Sequence, residues 1–267
     1  MYRRAGRVPG LVPLLRARRY DKRELLRQRL NRRNEREMLA LVRKGRDVCW
    51  VEPEGEMEPL VTVAIPTFER PELIERAIAS AQAQTYERLD ILVVGDHTDS
   101  RSERLVRSVI DSDPRVRFVN LPRQGSYPSD ARSRWLVSGT APMNVALDLA
   151  DGAWLVNCDD DDELLTTHVS AHLAFAKQER KEFVYSRWEN VLPSDAGSGP
   201  SIGGRELLRS GSVARGAVLY STGLAFMRYE SECWRIRDPH DWNLWKRMQI
   251  AGVKIGFLPE VTYRYYH

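Results

Sequence analysis

Four consecutive aspartates occupy positions 159–162, directly after the apolar stretch AWLVNC (153–158) and directly before ELLTTHVSAHLAF. Carboxylates packed this closely repel one another unless something positive neutralises them. The carboxyl edge of an α/β sheet is also where such proteins gather their ligands. A hard divalent cation takes one or two carboxylates together with the phosphates of a substrate. The run therefore reads as a metal–diphosphate site. The plainer reading is an acidic helix N-terminus, which favours negative charge without any ligand.

Two further acids stand where chemistry is feasible. Asp96 closes the apolar run LDILVVG (89–95), in the segment VVGDHTDS. There it can accept hydrogen bonds from a nucleotide ring or ribose, or simply cap the next helix. Thr67 and Phe68 end the first strand and fit the wall of the same pocket. Asp241, in RDPHDWNLWKRM, opens a helix far along the chain. It reads either as a helix-start acid beside Trp242 and Trp245, or as a general base whose pKa is raised by a nearby acidic site. His168 and His172 have ligand-like spacing, but their helix lacks the glutamate of an HExxH site, so zinc is not expected there. No GxGxxG follows the first strand and no GxxxxGK[ST] occurs, so phosphates must be handled by metal and side chains.

These residues need a scaffold. VTVAIP (61–66), LDILVVG (89–95), VRFVNL (116–121) and AWLVNC (153–158) are apolar on both faces and alternate with helical patterns at 71–84, 101–110 and 141–152. That alternation predicts an α/β fold with a Rossmann-like, mostly parallel central sheet flanked by helices on both faces. Gly152 is the expected stop of the 141–152 helix. Beyond the aspartates we expect a helix at 164–179, a strand at 182–187, a mobile Gly/Ser/Pro-rich loop at 194–204 and a strand at 219–227. A helix at 241–252 and two short strands, KIGFLP and TYRYYH, complete the expectation. We divide the chain into a basic helical extension (1–50), a linker (51–60) and one domain (61–267).

Composition narrows the class. The net charge of +4 hides an asymmetry: residues 1–50 carry 16 Lys/Arg against 5 Asp/Glu, and the remainder carries 25 against 32. The basic segment has Leu25, Leu26, Leu30, Met38 and Leu41 along one side of a helical pattern. A helix packed on the domain is the plainest reading, and contact with an anionic membrane surface is the next. Nucleic acid is disfavoured, because the rest of the chain is acidic and has no aromatics interleaved with basic residues. No apolar run reaches the length of a membrane span, and the N-terminal apolar stretch is too short for a secretory signal. Three scattered cysteines, Cys49, Cys158 and Cys233, suit a reducing compartment. A cytoplasmic protein, extending to the inner face of the membrane, is the expectation.

The order of the pieces resembles family 2 glycosyltransferases, which have the GT-A fold. VTVAIPTFERPELIERAIASAQAQTY followed by LDILVVGDHTDS is similar to their opening, MNVALDLADGAWLVNCDDDDELL to their Asp-x-Asp block, and HDWNLWKRMQIAGVKIGFLPEVTYRYYH to their base-bearing helix and final strands. The resemblance covers about residues 60–267. It implies a metal-dependent inverting transfer of a sugar from a nucleoside-diphosphate sugar to a hydroxyl acceptor. A UDP-sugar is the first expectation for the donor, with dTDP- and GDP-sugars as alternatives. Under it Pro66, Thr67, Phe68, Asp96, Asp159 and Asp160 would line the donor site, with Asp96 at the base and Asp159 near the ribose. Asp161 would hold Mg²⁺ or Mn²⁺, His267 would lie near the metal or phosphate, and Asp241 would deprotonate the acceptor. This sequence departs from the pattern at Gly95, where many members have another acid, and at Met143, where relatives often have an arginine. Arg123, Arg132 and Arg134 are the candidates to replace that cation. The competing readings are a catalytically inactive nucleotide-sugar-binding or scaffolding protein and, further off, a nucleotidyltransferase.

Overall fold

The computed structural model describes residues 34–44, 58–192 and 201–266. Its strands are β1 (Val61–Thr67), β2 (Leu89–Gly95), β3 (Val116–Asn120), β4 (Trp154–Asn157), β5 (Glu163–Leu164), β6 (Phe183–Val191), β7 (Ser201–Gly203), β8 (Val218–Ser221) and β9 (Ile255–Tyr266). The helices are α1 (34–44), α2 (Pro71–Gln82), α3 (Ser100–Ile110), α4 (Ala131–Trp135), α5 (Thr140–Leu149), α6 (His168–Gln178) and α7 (His240–Ala251).

All strands join one sheet in the order β3-β2-β1-β4-β8-β6-β9-β5, with β7 paired to β6. Only the β3-β2-β1-β4 half is all-parallel; β8 runs antiparallel to both β4 and β6, and β5 is antiparallel to β9. The expected mostly parallel sheet is thus corrected to a mixed one. The reason lies in the connection: the chain enters β8 from the same edge at which it left β4, so β8 must run the opposite way.

Within β1 and β2, alternate residues point to opposite faces. Val61, Val63, Ile65, Ile91 and Val93 join a core with Ile74 and Ala77 of α2, Val106 of α3 and Val169 of α6. Ala64, Leu92 and Val94 join a second core with Met143 of α5, Trp245 and Met248 of α7 and Leu39 of α1. Both faces are covered, which explains the unbroken apolar runs. Trp245 is fully buried, with ring centroids 4.8 Å from Phe183 and 5.7 Å from Tyr220. Trp245→Ala is expected to lower stability by about 3–5 kcal/mol, read by denaturant unfolding, because this packed cluster cannot close the void.

Several local expectations are corrected. The helix expected at 141–152 ends at Leu149, and Gly152 serves another purpose: a Cβ there would lie 2.5 Å from the Thr62 backbone nitrogen. Residues 163–164 form β5, and α6 begins only at His168. The strand expected at 219–227 stops at Ser221 and gives way to a 3-10 turn, Thr222–Leu224. In place of the two short strands expected at KIGFLP and TYRYYH there is one, β9 (Ile255–Tyr266), irregular in its pairing opposite Ser186–Trp188. Of the loop expected at 194–204, Ser201–Gly203 form β7, and 193–200 lie outside the described residues.

Residues 34–44 pack on the domain. Arg43 makes a fork on Glu182 at 2.8 and 2.9 Å, and Arg36 donates to the Ile250 carbonyl. Glu35 pairs with Arg247 of α7, which is 9% exposed. The apolar anchor is Leu39; Met38 and Leu41, expected on the packed side, are 42% and 63% exposed. Leu25, Leu26 and Leu30 lie outside the described residues. No helix among the described residues is long and apolar enough to cross a membrane.

Candidate active site

Parallel pairing decides where the acids meet. Thr67 lies opposite Gly95 across β1 and β2, and Ala64 lies opposite Asn157 across β1 and β4. The residues that follow these strands, Phe68, Asp96 and Asp159–Asp162, therefore emerge at one sheet edge.

The aspartates then diverge. Asp159, Asp161 and Asp162 each offer one oxygen, all within 4.8 Å of one another. Asp160 turns away: it is 7% exposed, receives Arg70 at 3.1 Å and the Phe68 N–H, and burial raises its pKa. Asp162 is fully buried. It accepts the Tyr263 hydroxyl and, at 2.8 Å, the Tyr266 N–H, and burial pushes its carboxyl up to about 7. Sequence reading passed over Asp162 as a ligand candidate. Three carboxylates with no nitrogen or sulfur donor suit a hard cation such as Mg²⁺ or Mn²⁺.

Among the described residues, Arg70, Arg76 and Arg215 bond the aspartates at this edge, and the sequence singled out none of them. Arg70 bonds Asp161 at 2.6 Å, and Arg76 bonds the Asp161 carbonyl. Arg215, three residues before the start of β8, bonds Asp159, and its other terminal nitrogen lies 3.3 Å from Nε2 of His240. Burial first, and then Arg215, hold the His240 ring well below its ordinary pKa, so it accepts this bond as a neutral imidazole. Arg134, one of the expected replacements for the missing cation, donates instead to the Pro128 carbonyl. Met143 is fully buried core. One signal for Arg215 was legible: an arginine two residues ahead of the apolar run AVLYS, after a polar stretch.

Asp241 lies in the first turn of α7 and is partly exposed. Its carboxyl is raised by burial and lowered in part by the Trp242 N–H and Arg215. Arg215 links the two acidic groups, since it bonds Asp159 and reaches His240, the chain neighbour of Asp241.

Asp96 is 3% exposed, and both its oxygens serve the insert after β3: Gly125 N–H donates to one at 2.8 Å and the Tyr127 hydroxyl to the other at 2.6 Å. A carboxylate has about four acceptor sites, so capacity remains. Gly95 also has a structural reason. A Cβ there would lie 2.6 Å from Asn120 Oδ1, which is held by the Thr98 N–H, so an acid at 95 would collide. Thr67 and Pro66 are buried in β1, and Phe68 is 38% exposed at the edge. His168 and His172 are fully buried with ring centroids 4.1 Å apart, and burial keeps both neutral, with His172 lowered to about 4. His267 lies outside the described residues.

Comparison with known proteins places these features in context. The family model described as "Glycosyl transferase family 2" matches residues 62–234. GalNAc(5)-diNAcBac-PP-undecaprenol beta-1,3-glucosyltransferase of Campylobacter jejuni is 29% identical over 120 residues, covering 45% of this chain and 35% of that protein. UDP-Glc:alpha-D-GlcNAc-diphosphoundecaprenol beta-1,3-glucosyltransferase WfaP of Escherichia coli is 22% identical over 200 residues, covering 73% of this chain and 72% of that protein. The match thus spans about a third of the first relative's length. The crystal structure of S. aureus TarS 1-349 in complex with UDP-GlcNAc superposes with a TM-score of 0.62 at 17% identity, covering 78% of this chain and 58% of that one, a likeness of fold.

Proposed function

Because the chain belongs to glycosyl transferase family 2, we propose that it is a metal-dependent inverting glycosyltransferase acting from a nucleoside-diphosphate sugar on a hydroxyl acceptor. The observation that carries this reading is the cluster of three carboxylates spaced for a cation at the sheet edge, linked through Arg215 to His240 and so to the neighbouring acid Asp241. The relatives named for UDP-glucose and for undecaprenol-diphosphate acceptors support a UDP-hexose donor and a lipid-linked saccharide acceptor.

In this reading Asp159, Asp161 and Asp162 hold Mg²⁺ or Mn²⁺, and Pro66, Thr67, Phe68, Asp96 and Asp160 line the donor site. Bound there, the cation would stabilise charge on the nucleoside-diphosphate leaving group. Asp241 takes the acceptor's proton from the face opposite the leaving group, so a single displacement inverts the anomeric centre. Arg70 and Arg215 keep the acids from repelling one another. The carboxyl of Asp162, fixed by Tyr263 and Tyr266, sets the geometry of the cluster. His267 is retained as a further metal or phosphate contact. The transferase domain is proposed as 61–267, with 1–50 a basic extension whose residues 34–44 pack on that domain; its excess of Lys and Arg supports peripheral contact with an anionic membrane surface as well.

The test is calorimetric titration of UDP, GDP, dTDP and CDP, each with and without Mn²⁺, followed by transfer assays with the nucleotide that binds. Metal-dependent binding of one nucleotide with turnover of its sugar is expected. Binding without any turnover would support the inactive-binder alternative, and binding of none would overturn the nucleotide-sugar reading.

A further inference from the structure

The arginines at the acid run are bound in an unusual way. Arg215 is 16% exposed at its side chain, and its guanidinium spans Asp159 on one side and a neutral imidazole, His240, on the other. A neutral ring nitrogen is a weaker partner for a guanidinium than an anionic oxygen would be. Gly139 passes beside this fork, where a Cβ would lie 3.1 Å from its Nη1. The base of the residue, by contrast, is fixed. Its carbonyl accepts from Asn157 at 3.3 Å, and the next residue, Gly216, lies so close to the Tyr263 ring that a Cβ would meet it at 2.1 Å. Arg70 shares one nitrogen between Asp160 and Asp161, and its side chain is 49% exposed. Both arginines thus hold oxygens of the candidate cation ligands, Arg215 from an anchored stem and Arg70 from a half-exposed one.

We propose that Arg215 and Arg70 are exchangeable counter-ions, which neutralise Asp159 and Asp161 and turn to the donor's diphosphate when a divalent cation takes those carboxylates. This rests on the transferase reading. A cation on Asp159 and Asp161 repels the guanidiniums it replaces, and a diphosphate arriving beside it supplies the oxygen pairs that a guanidinium fork matches best. Carboxylate–arginine pairs are traded for carboxylate–metal and arginine–phosphate pairs. Metal and nucleoside diphosphate therefore favour each other's binding, and the coupling is reciprocal.

Arg215→Gln and Arg70→Gln test the exchange by its opposite signs. Mn²⁺ binding alone, followed by the paramagnetic resonance of free Mn²⁺, is expected to tighten by about threefold or more once the competing charge is gone. UDP binding in saturating Mn²⁺, followed by calorimetry, is expected to weaken by about tenfold or more in Arg215→Gln. Arg215→Lys should fall between, keeping the charge without the fork. Weaker Mn²⁺ binding in the variants would mean that the arginines merely hold the carboxylates in place, and unchanged UDP affinity would remove the phosphate role; either overturns the proposal. Should Arg215→Gln unfold, Arg70→Gln at its half-exposed site decides by the same two readings. Wild-type protein that binds Mn²⁺ but no nucleotide would sink the transferase reading and the phosphate half with it. The Mn²⁺ comparison would still support or overturn the counter-ion half.

Discussion

Replacing Asp241 with Asn is expected to cut the rate of sugar transfer by about 10²–10⁴-fold while leaving UDP affinity in Mn²⁺ within a small factor of wild type. The amide keeps the shape and the hydrogen bond from the Trp242 N–H but cannot accept a proton. Burial raises the pKa of this carboxyl above the ordinary aspartate value, with Trp242 and Arg215 pulling against it. A base works only when ionised, so kcat/KM in the wild type should fall as pH is lowered through that raised pKa. The acid limb should therefore lie at higher pH than for an ordinary aspartate, and it should disappear in the Asn variant. Parallel measurement of nucleotide affinity and turnover separates the roles. A loss of UDP binding equal to the loss of rate would place Asp241 in the donor site instead of at the acceptor.

Asp161→Ala is expected to weaken UDP binding in Mn²⁺ by about a hundredfold or more, roughly 2.7 kcal/mol, and to abolish transfer. The side chain is 37% exposed and its bond to Arg70 is on the surface side of the cluster, so the fold should survive. Asp161 belongs to the group of three carboxylates, among the described residues, that each offer one oxygen within 4.8 Å of the others. Losing it removes the most exposed of the three carboxylates and leaves Asp159, already bonded to Arg215, and Asp162, already bonded to Tyr263 and Tyr266. Metal-free UDP binding should not weaken. A variant that still shows metal-dependent binding at wild-type strength would move the cation to other ligands. Thermal unfolding of the same sample keeps a folding defect from being mistaken for a binding one.

The two experiments ask about residues whose positions in the chain were readable before any coordinates. Each lies at a junction that apolar patterning marks: Asp159–Asp162 where AWLVNC ends, Asp96 where LDILVVG ends, Asp241 where an amphipathic helix begins. Short-range rules suffice there, because a run of residues buried on both faces has few ways to end except at a sheet edge. The same rules gave β2 at its observed bounds, Leu89–Gly95, and α7 to within one residue at each end. They erred where a neighbour in space overrode local preference. Residues 163–164 read as helix but pair with β9, and Gly152 reads as a helix stop but is small because Thr62 passes against it.

What the amino-acid order determined by itself was the alternation of strand and helix, the family, and the set of acids at the strand ends. What only the tertiary structure decided was which charges meet those acids. Arg70 is 91 residues from Asp161 and Arg215 is 56 from Asp159, and nothing in local spacing links them. The division of labour within the run was likewise beyond the sequence: Asp160 turns to Arg70 and the end of β1, and Asp162 is drawn to the tyrosines of β9. Four identical neighbours differ only in the direction the backbone gives them, and that direction comes from strands paired across more than a hundred residues. Hydrophobic patterning is a property of neighbours in sequence, whereas charge neutralisation is a property of neighbours in space.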